Sequence, residues 1–165
     1  MTNIVARRIL LADKVAQAKF GTGDPIDDPV RERSLVEAVA HRARFAGIGP
    51  DAGVRFFRAQ IEANKIVQRG LHRLWADNPG LRPHDRPDLD ADVRPRLDEI
   101  TVEMLHQLKL TEAARRTAAP CSVETLEAGL PADLRVRLDA LHREALAVAL
   151  RPICCPGHEP DAPGA

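Results

Sequence analysis

The chain has 165 residues, 44 % of them hydrophobic and 29 % charged, with 24 basic side chains balancing 24 acidic ones. That length supports one domain with a real core. The zero net charge argues against a general nucleic-acid binder, and no apolar run approaches the ~20 residues of a membrane helix. Only 3 % of residues are aromatic and β-branched residues do not alternate with polar ones. The expected fold class is therefore all-α, a single-domain bundle of about six helices.

Taken in order, the first helix is predicted from Asn3 to Phe20, with Asn3 as a candidate N-cap. Its opening, MTNIVARRILLADKV, is amphipathic and charged, unlike a secretory signal. GTGDPIDDP breaks it, and Asp28 followed by Pro29 starts a second helix, the carboxylate capping and the proline filling the first turn. That helix is expected to reach Ala46, where GIGPDAG closes it. A third runs from Pro50 to Ala76. NPGLRPHDRPDLD is a proline-rich connection too irregular for any element. A fourth helix is predicted over Ala91–Ala118, with Pro95 near its start, then a short one over Ser122–Ala128 and a last over Pro131–Leu150. Residues 1–77 thus form one helical group, 78–90 a connection, 91–155 a second group, and 156–165 a tail without order.

Two of these helices carry polar groups on apolar stripes. In the third, the inward positions read Val54, Phe57, Ile61, Asn64, Gln68, Leu71 and Trp75, which is helical spacing with two amides in the middle. A buried amide without a partner costs on the order of 1–3 kcal/mol, so something must answer these. A polar pair fixing helix register is one answer; a polar guest is another. The first helix reads Ile4, Arg8, Leu11, Val15, Lys19. Its two cations stand about 16 Å apart along the axis, over a floor of Leu11, Ala12 and Val15. Either both snorkel to solvent or they grip opposite ends of a small anion. Arg31 and Glu32 fall in the first turn of the second helix, where a cation opposes the dipole and has no local reason to be. Arg8, Lys19, Arg31, Asn64, Gln68 and Glu32 together describe a donor-lined pocket for a small dianion. No Ser-His or Cys-His pair accompanies them, and no His/Cys/Asp cluster has metal-ligand spacing. His72, His106 and His142 stand alone on their helices and read as surface or satisfied structural residues.

These residues carry a resemblance. Arg8, Lys19, the run DDPVRE with Asp28, Arg31 and Glu32, and QIEANKIVQ with Asn64 and Gln68 are similar in type and spacing to an all-α chorismate mutase of the type II fold. The second half resembles the secreted or periplasmic subclass, in which each chain builds its whole pocket and a further arginine comes from the start of the fourth helix. Here that is Arg94 in DADVRPRLD, with Arg96 as its competitor. The resemblance implies an isomerase that rearranges chorismate to prephenate without metal or cofactor. Arg8 and Arg94 would clamp carboxylate, Arg31 would secure the second carboxylate, and Lys19 and Gln68 would donate to the ether oxygen. Glu32 and the backbone near Asp28 would take the ring hydroxyl, and Asn64 would support a carboxylate or the orientation of the site. Ala12, Val15, Leu35 and Ile61 would form apolar walls.

The subclass also implies a disulfide between Cys121 and Cys154, leaving Cys155 over, against the alternative of three reduced thiols. Such a bridge stabilises by roughly 2–4 kcal/mol and implies an oxidising compartment, periplasmic or secreted, for a chain trimmed of its signal. A homodimer, chorismate as the partner molecule, and neither nucleic acid nor membrane complete the expectation. The rival readings are an isochorismate-pyruvate lyase-like enzyme and a non-catalytic helical module that binds a dicarboxylate.

Overall fold

The computed structural model describes residues 1–113 and 122–154, with 123–125 and 154 described by backbone alone. The described residues form helices joined by short connections and contain no strand. In order they form α1 (Thr2–Lys19), α2 (Pro29–Phe45), α3 (Pro50–Asp77), a 3-10 turn (Pro79–Leu81), a π turn (Leu89–Val93), α4 (Arg94–Leu110), α5 (Val123–Ala128), α6 (Ala132–Arg137) and α7 (Ala140–Cys154). At 28 residues, or roughly 42 Å at the standard rise, α3 is the spine. It packs most extensively against α7, then α1, then α2, while α4 and the π turn close against α1. Ile9, Val39, Phe56, Phe57, Val67, Met104, Leu108, Leu146 and Leu150 are fully enclosed where these helices meet. No helix among the described residues is long and apolar enough to cross a membrane.

Local chemistry explains the boundaries. The Asp28 carboxylate accepts from the backbone N–H of Arg31 at 3.0 Å, and Pro29 opens α2, as the sequence predicts. At the other end Gly47, at φ +66, lets Ile48 N–H return to Ala43 O at 2.9 Å, a left-handed cap that only glycine adopts freely. The first helix starts one residue earlier than expected, at Thr2 with Met1 before it, so Asn3 is not its cap.

Three expectations are corrected. The proline-rich connection is not irregular throughout. It holds the 3-10 turn and leads into the π turn, because the Asp88 carboxylate caps Asp90 N–H and Ala91 N–H at 2.7 and 3.0 Å. The fourth helix ends at Leu110, where Thr111 turns back on Gln107 O through both its N–H and its hydroxyl. The last helix is two: Leu138 is extended (φ −91, ψ 102), and the Asp139 carboxylate then caps His142 N–H at 2.9 Å to start α7. That helix passes through Pro152 to Cys154, held by Leu150 in the core and Ile153 packed against it. Residues 114–121 and the expected tail lie outside the described residues. So do Cys121, Cys155 and the side chain of Cys154, and with them the implied disulfide.

Candidate active site

The helices converge on a cavity of about 510 Å³, a size suited to a small metabolite. Arg8, Val15 and Lys19 reach it from α1. Asp28, Arg31, Glu32 and Leu35 come from the start of α2, and Ile61, Asn64, Lys65 and Gln68 from the middle of α3. Leu89, Arg94, Leu97, Asp98 and Thr101 close it from the π turn and α4. Spacings of three, four and seven put each group on one face of its helix, which is why residues distant in sequence meet here. All eight polar residues singled out from the sequence border the same space. Of the expected walls, Val15, Leu35 and Ile61 are present, but Ala12 is not. Ala12 is fully buried in the hydrophobic core, and Leu11 packs against that core, so the floor beneath Arg8 and Lys19 is Val15 alone.

Arg8 is the most telling of these side chains. It is 5 % exposed, and its Nε and Nη1 are buried with no hydrogen-bond partner among the described residues. Burial lowers its pKa to about 10, with Asp98 offsetting part of that effect, so it remains a cation at neutral pH. A buried, unanswered guanidinium is strongly unfavourable unless an anion joins it. Arg94 repeats the pattern: Nη1 contacts Asp90, while Nε is buried and unpartnered among the described residues. Arg96 is exposed and does not border the cavity.

The other cations feel one another. Lys19 donates to Pro25 O at 2.7 Å. Its pKa is lowered by burial first and by Arg31 next, with Asp28 and Asp24 opposing. Burial, then Arg94, lowers that of Arg31. Arg94 acts on Lys19 as well, and with Arg8 lining the same space positive potential is concentrated there.

The amides come from α3. Gln68 is 4 % exposed, its Nε2 donates to Asn64 Oδ1 at 2.5 Å, and its Oε1 is buried without a partner among the described residues. Glu32 is the acceptor of the set, Oε1 receiving Lys65 Nζ at 3.0 Å and Asp28 N–H at 3.3 Å. The Asp28 carboxylate itself is committed to capping α2.

Sequence reasoning missed Lys65 and Asp98. Each looks like an ordinary solvated charge on an amphipathic helix. The available signal was helical spacing: Lys65 follows Glu62 by three residues and Asn64 by one, and Asp98 follows Arg94 by four, on the face already in use. His72 and His142, read as structural, lie away from the cavity; His72 Nε2 bonds Ala16 O at 3.0 Å.

Among the described residues, neither histidine nor cysteine borders this space. Its equipment is for gripping acid groups and placing donors, the work of orientation and electrostatic stabilisation.

Comparison with known proteins agrees with that chemistry. The pattern of the family described as chorismate mutase type II matches residues 1–69. Over 158 residues the chain is 31 % identical to a secreted chorismate mutase of Mycolicibacterium smegmatis, covering 93 % of this chain and 84 % of that one. Among solved structures, the chorismate mutase of Burkholderia phymatum is 33 % identical and superposes with a TM-score of 0.81, covering 93 % of each chain. That of Burkholderia thailandensis is 32 % identical with a TM-score of 0.82, covering 93 % of this chain and 98 % of its own.

Proposed function

The chain belongs to the chorismate mutase family, and from that membership we propose how its own residues rearrange chorismate to prephenate. The enzyme is an isomerase acting on one substrate, a dianion carrying two carboxylates, a ring hydroxyl and an enol ether. The rearrangement breaks the ether C–O bond as a C–C bond forms. It transfers no proton to the protein, so catalysis rests on holding the compact conformer and stabilising charge on the ether oxygen.

Arg8 and Arg94 bind one carboxylate and Arg31 the other. Lys19 and Gln68 donate to the ether oxygen. For Gln68 this follows from turning both amides over: Asn64 then donates to Gln68 Oε1, the orphaned acceptor is answered, and the Gln68 hydrogens are left for a ligand. Glu32 and the Asp28 backbone receive the ring hydroxyl, while Val15, Leu35 and Ile61 exclude water. The single observation that carries this reading is Arg8, a buried cation in a cavity wall with two nitrogens awaiting an anion.

Loss of chorismate absorbance on adding the purified chain, with prephenate as product, tests the activity. Pyruvate release from isochorismate in the same assay would instead mark a lyase. Arg8→Gln and Lys19→Ala should each lower turnover by ~10²–10³, the usual cost of a lost transition-state donor. A fall of less than about tenfold would remove that residue from the site.

A secreted relative supports placing this chain outside the cytoplasm too; we further propose, on the family resemblance alone, that it acts as one catalytic domain in a homodimer. Sedimentation would measure the assembly. Mass spectrometry of unreduced protein should find Cys121 joined to Cys154; three free thiols in protein from an oxidising host would refute the bridge.

A further inference from the structure

Beside the cavity lies a charge cluster that the rearrangement itself does not explain. Lys65 is 8 % exposed, yet its ammonium touches three carboxylates: Glu62 at 2.7 Å, Glu32 at 3.0 Å and Asp27 at 3.2 Å. Burial alone would lower its pKa, but hydrogen bonds to those three carboxylates raise it above the ordinary lysine value. Asp27 is held in turn by Arg69 at 2.6 Å. The cluster thus ties the middle of α3 to the segment entering α2. A lysine could form a solvated helix pair with Glu62 without being buried at all. Burying it between two elements is expensive unless the geometry it imposes is needed.

What it holds is Glu32. That carboxylate borders the cavity, and its Oε1 is fixed by Lys65 Nζ and Asp28 N–H. With Oε1 committed to Lys65 and the Asp28 N–H, the other oxygen is the one left to accept from a ligand. Without Lys65, Glu32 would stand in the field of the cavity's own cations and swing toward them, since the arginines there lack a full set of partners. It would then fill the place meant for a substrate carboxylate.

Resting on the site reading above, we propose that Lys65 is a positioning residue that sets substrate specificity: it pins Glu32 at the wall so that this carboxylate recognises the ring hydroxyl and stays out of the carboxylate subsite. A site built to bond a hydroxyl discriminates strongly against a ligand lacking one, because its buried acceptor is then left unpaired.

The test compares kcat/KM for chorismate with that for its analogue lacking the ring hydroxyl, in wild type and in Lys65→Met. The wild type should favour chorismate, and Lys65→Met should shrink that preference by at least about tenfold, the loss for chorismate falling mainly on KM. Glu32→Gln should shrink it similarly, and the double variant should lose no more than either single one, since both remove one device. An unchanged preference in Lys65→Met overturns the proposal, as does a double variant whose losses multiply. If Lys65→Met does not fold, Lys65→Gln takes its place, and the same two outcomes overturn the proposal. Arg8→Gln separates this inference from the one beneath it. Full activity there means the site reading has failed, whereas an inactive Arg8→Gln beside an unchanged preference in Lys65→Met sinks the Lys65 inference alone.

Discussion

Gln68 carries an amide where a carboxyl group of nearly the same shape would titrate. The amide has no proton to lose, so the donor role proposed for it toward the ether oxygen should persist from about pH 5 to 8 and activity should stay nearly flat across that range. Gln68→Glu keeps the shape but donates only when protonated. Its kcat/KM should be appreciable in acid alone and fall as pH rises through the carboxyl pKa; a flat profile for this variant would contradict the role. Residues of this kind were legible because they break a pattern: an amide or a cation on an apolar stripe demands a partner, as Arg8, Asn64 and Gln68 do. Lys65 and Asp98 break no pattern. A charge on a polar helix face has water as its default partner, and only the approach of another helix replaces that water.

At the scale of the element, capping chemistry made α2 readable from Asp28 to Gly47, and periodicity made the extent of α3 readable to within one residue but its core face only in part. Of the expected stripe Phe57, Gln68 and Trp75 are buried, and so are Phe56, Gln60, Ala63 and Val67 outside it. The junction between α6 and α7 was not, since Leu138 and Asp139 are ordinary helix residues in composition. The break there reflects packing, with Leu138 buried in the core and Asp139 capping α7. The helices α3 and α7 approach closely at Gly70, where an added Cβ would lie 2.6 Å from both terminal methyl carbons of Leu141 and 3.1 Å from its Cγ. Alanine inside a helix ordinarily gains about 1 kcal/mol over glycine. Here the overlap should win, so Gly70→Ala should destabilise by about 1–3 kcal/mol, seen as a lower urea midpoint. In a Leu141→Ala background the same change should become stabilising; if it remains as harmful there, the overlap is not the cause.

Across the whole molecule, His142 ties the first helix to the last. It is 5 % exposed, its Nε2 meets Asp13 of α1 at 2.8 Å, and its Nδ1 meets Asp139 at 2.7 Å. The bond to Asp13 raises its pKa most, burial opposes, and Asp139 adds to the rise, taking it from 6.5 to about 9. A folded pKa above the unfolded one means the imidazolium stabilises the fold. That contribution is whole below about pH 6.5 and is lost as pH climbs through about 9. Its size is on the order of 3 kcal/mol. Urea midpoints at pH 6 and pH 10 should fall more in wild type than in His142→Gln; equal falls would show that the bridge contributes nothing. The sequence by itself determined the helical class, the capped starts and the set of donors awaiting a dianion, because periodicity, capping and the cost of burying polar groups are local properties. The tertiary structure alone decided that those donors share one cavity, that Arg94 rather than Arg96 completes it, and that Lys65 and His142 are buried between helices. Which charges lose their water depends on the distance between elements, and no stretch of chain contains that distance.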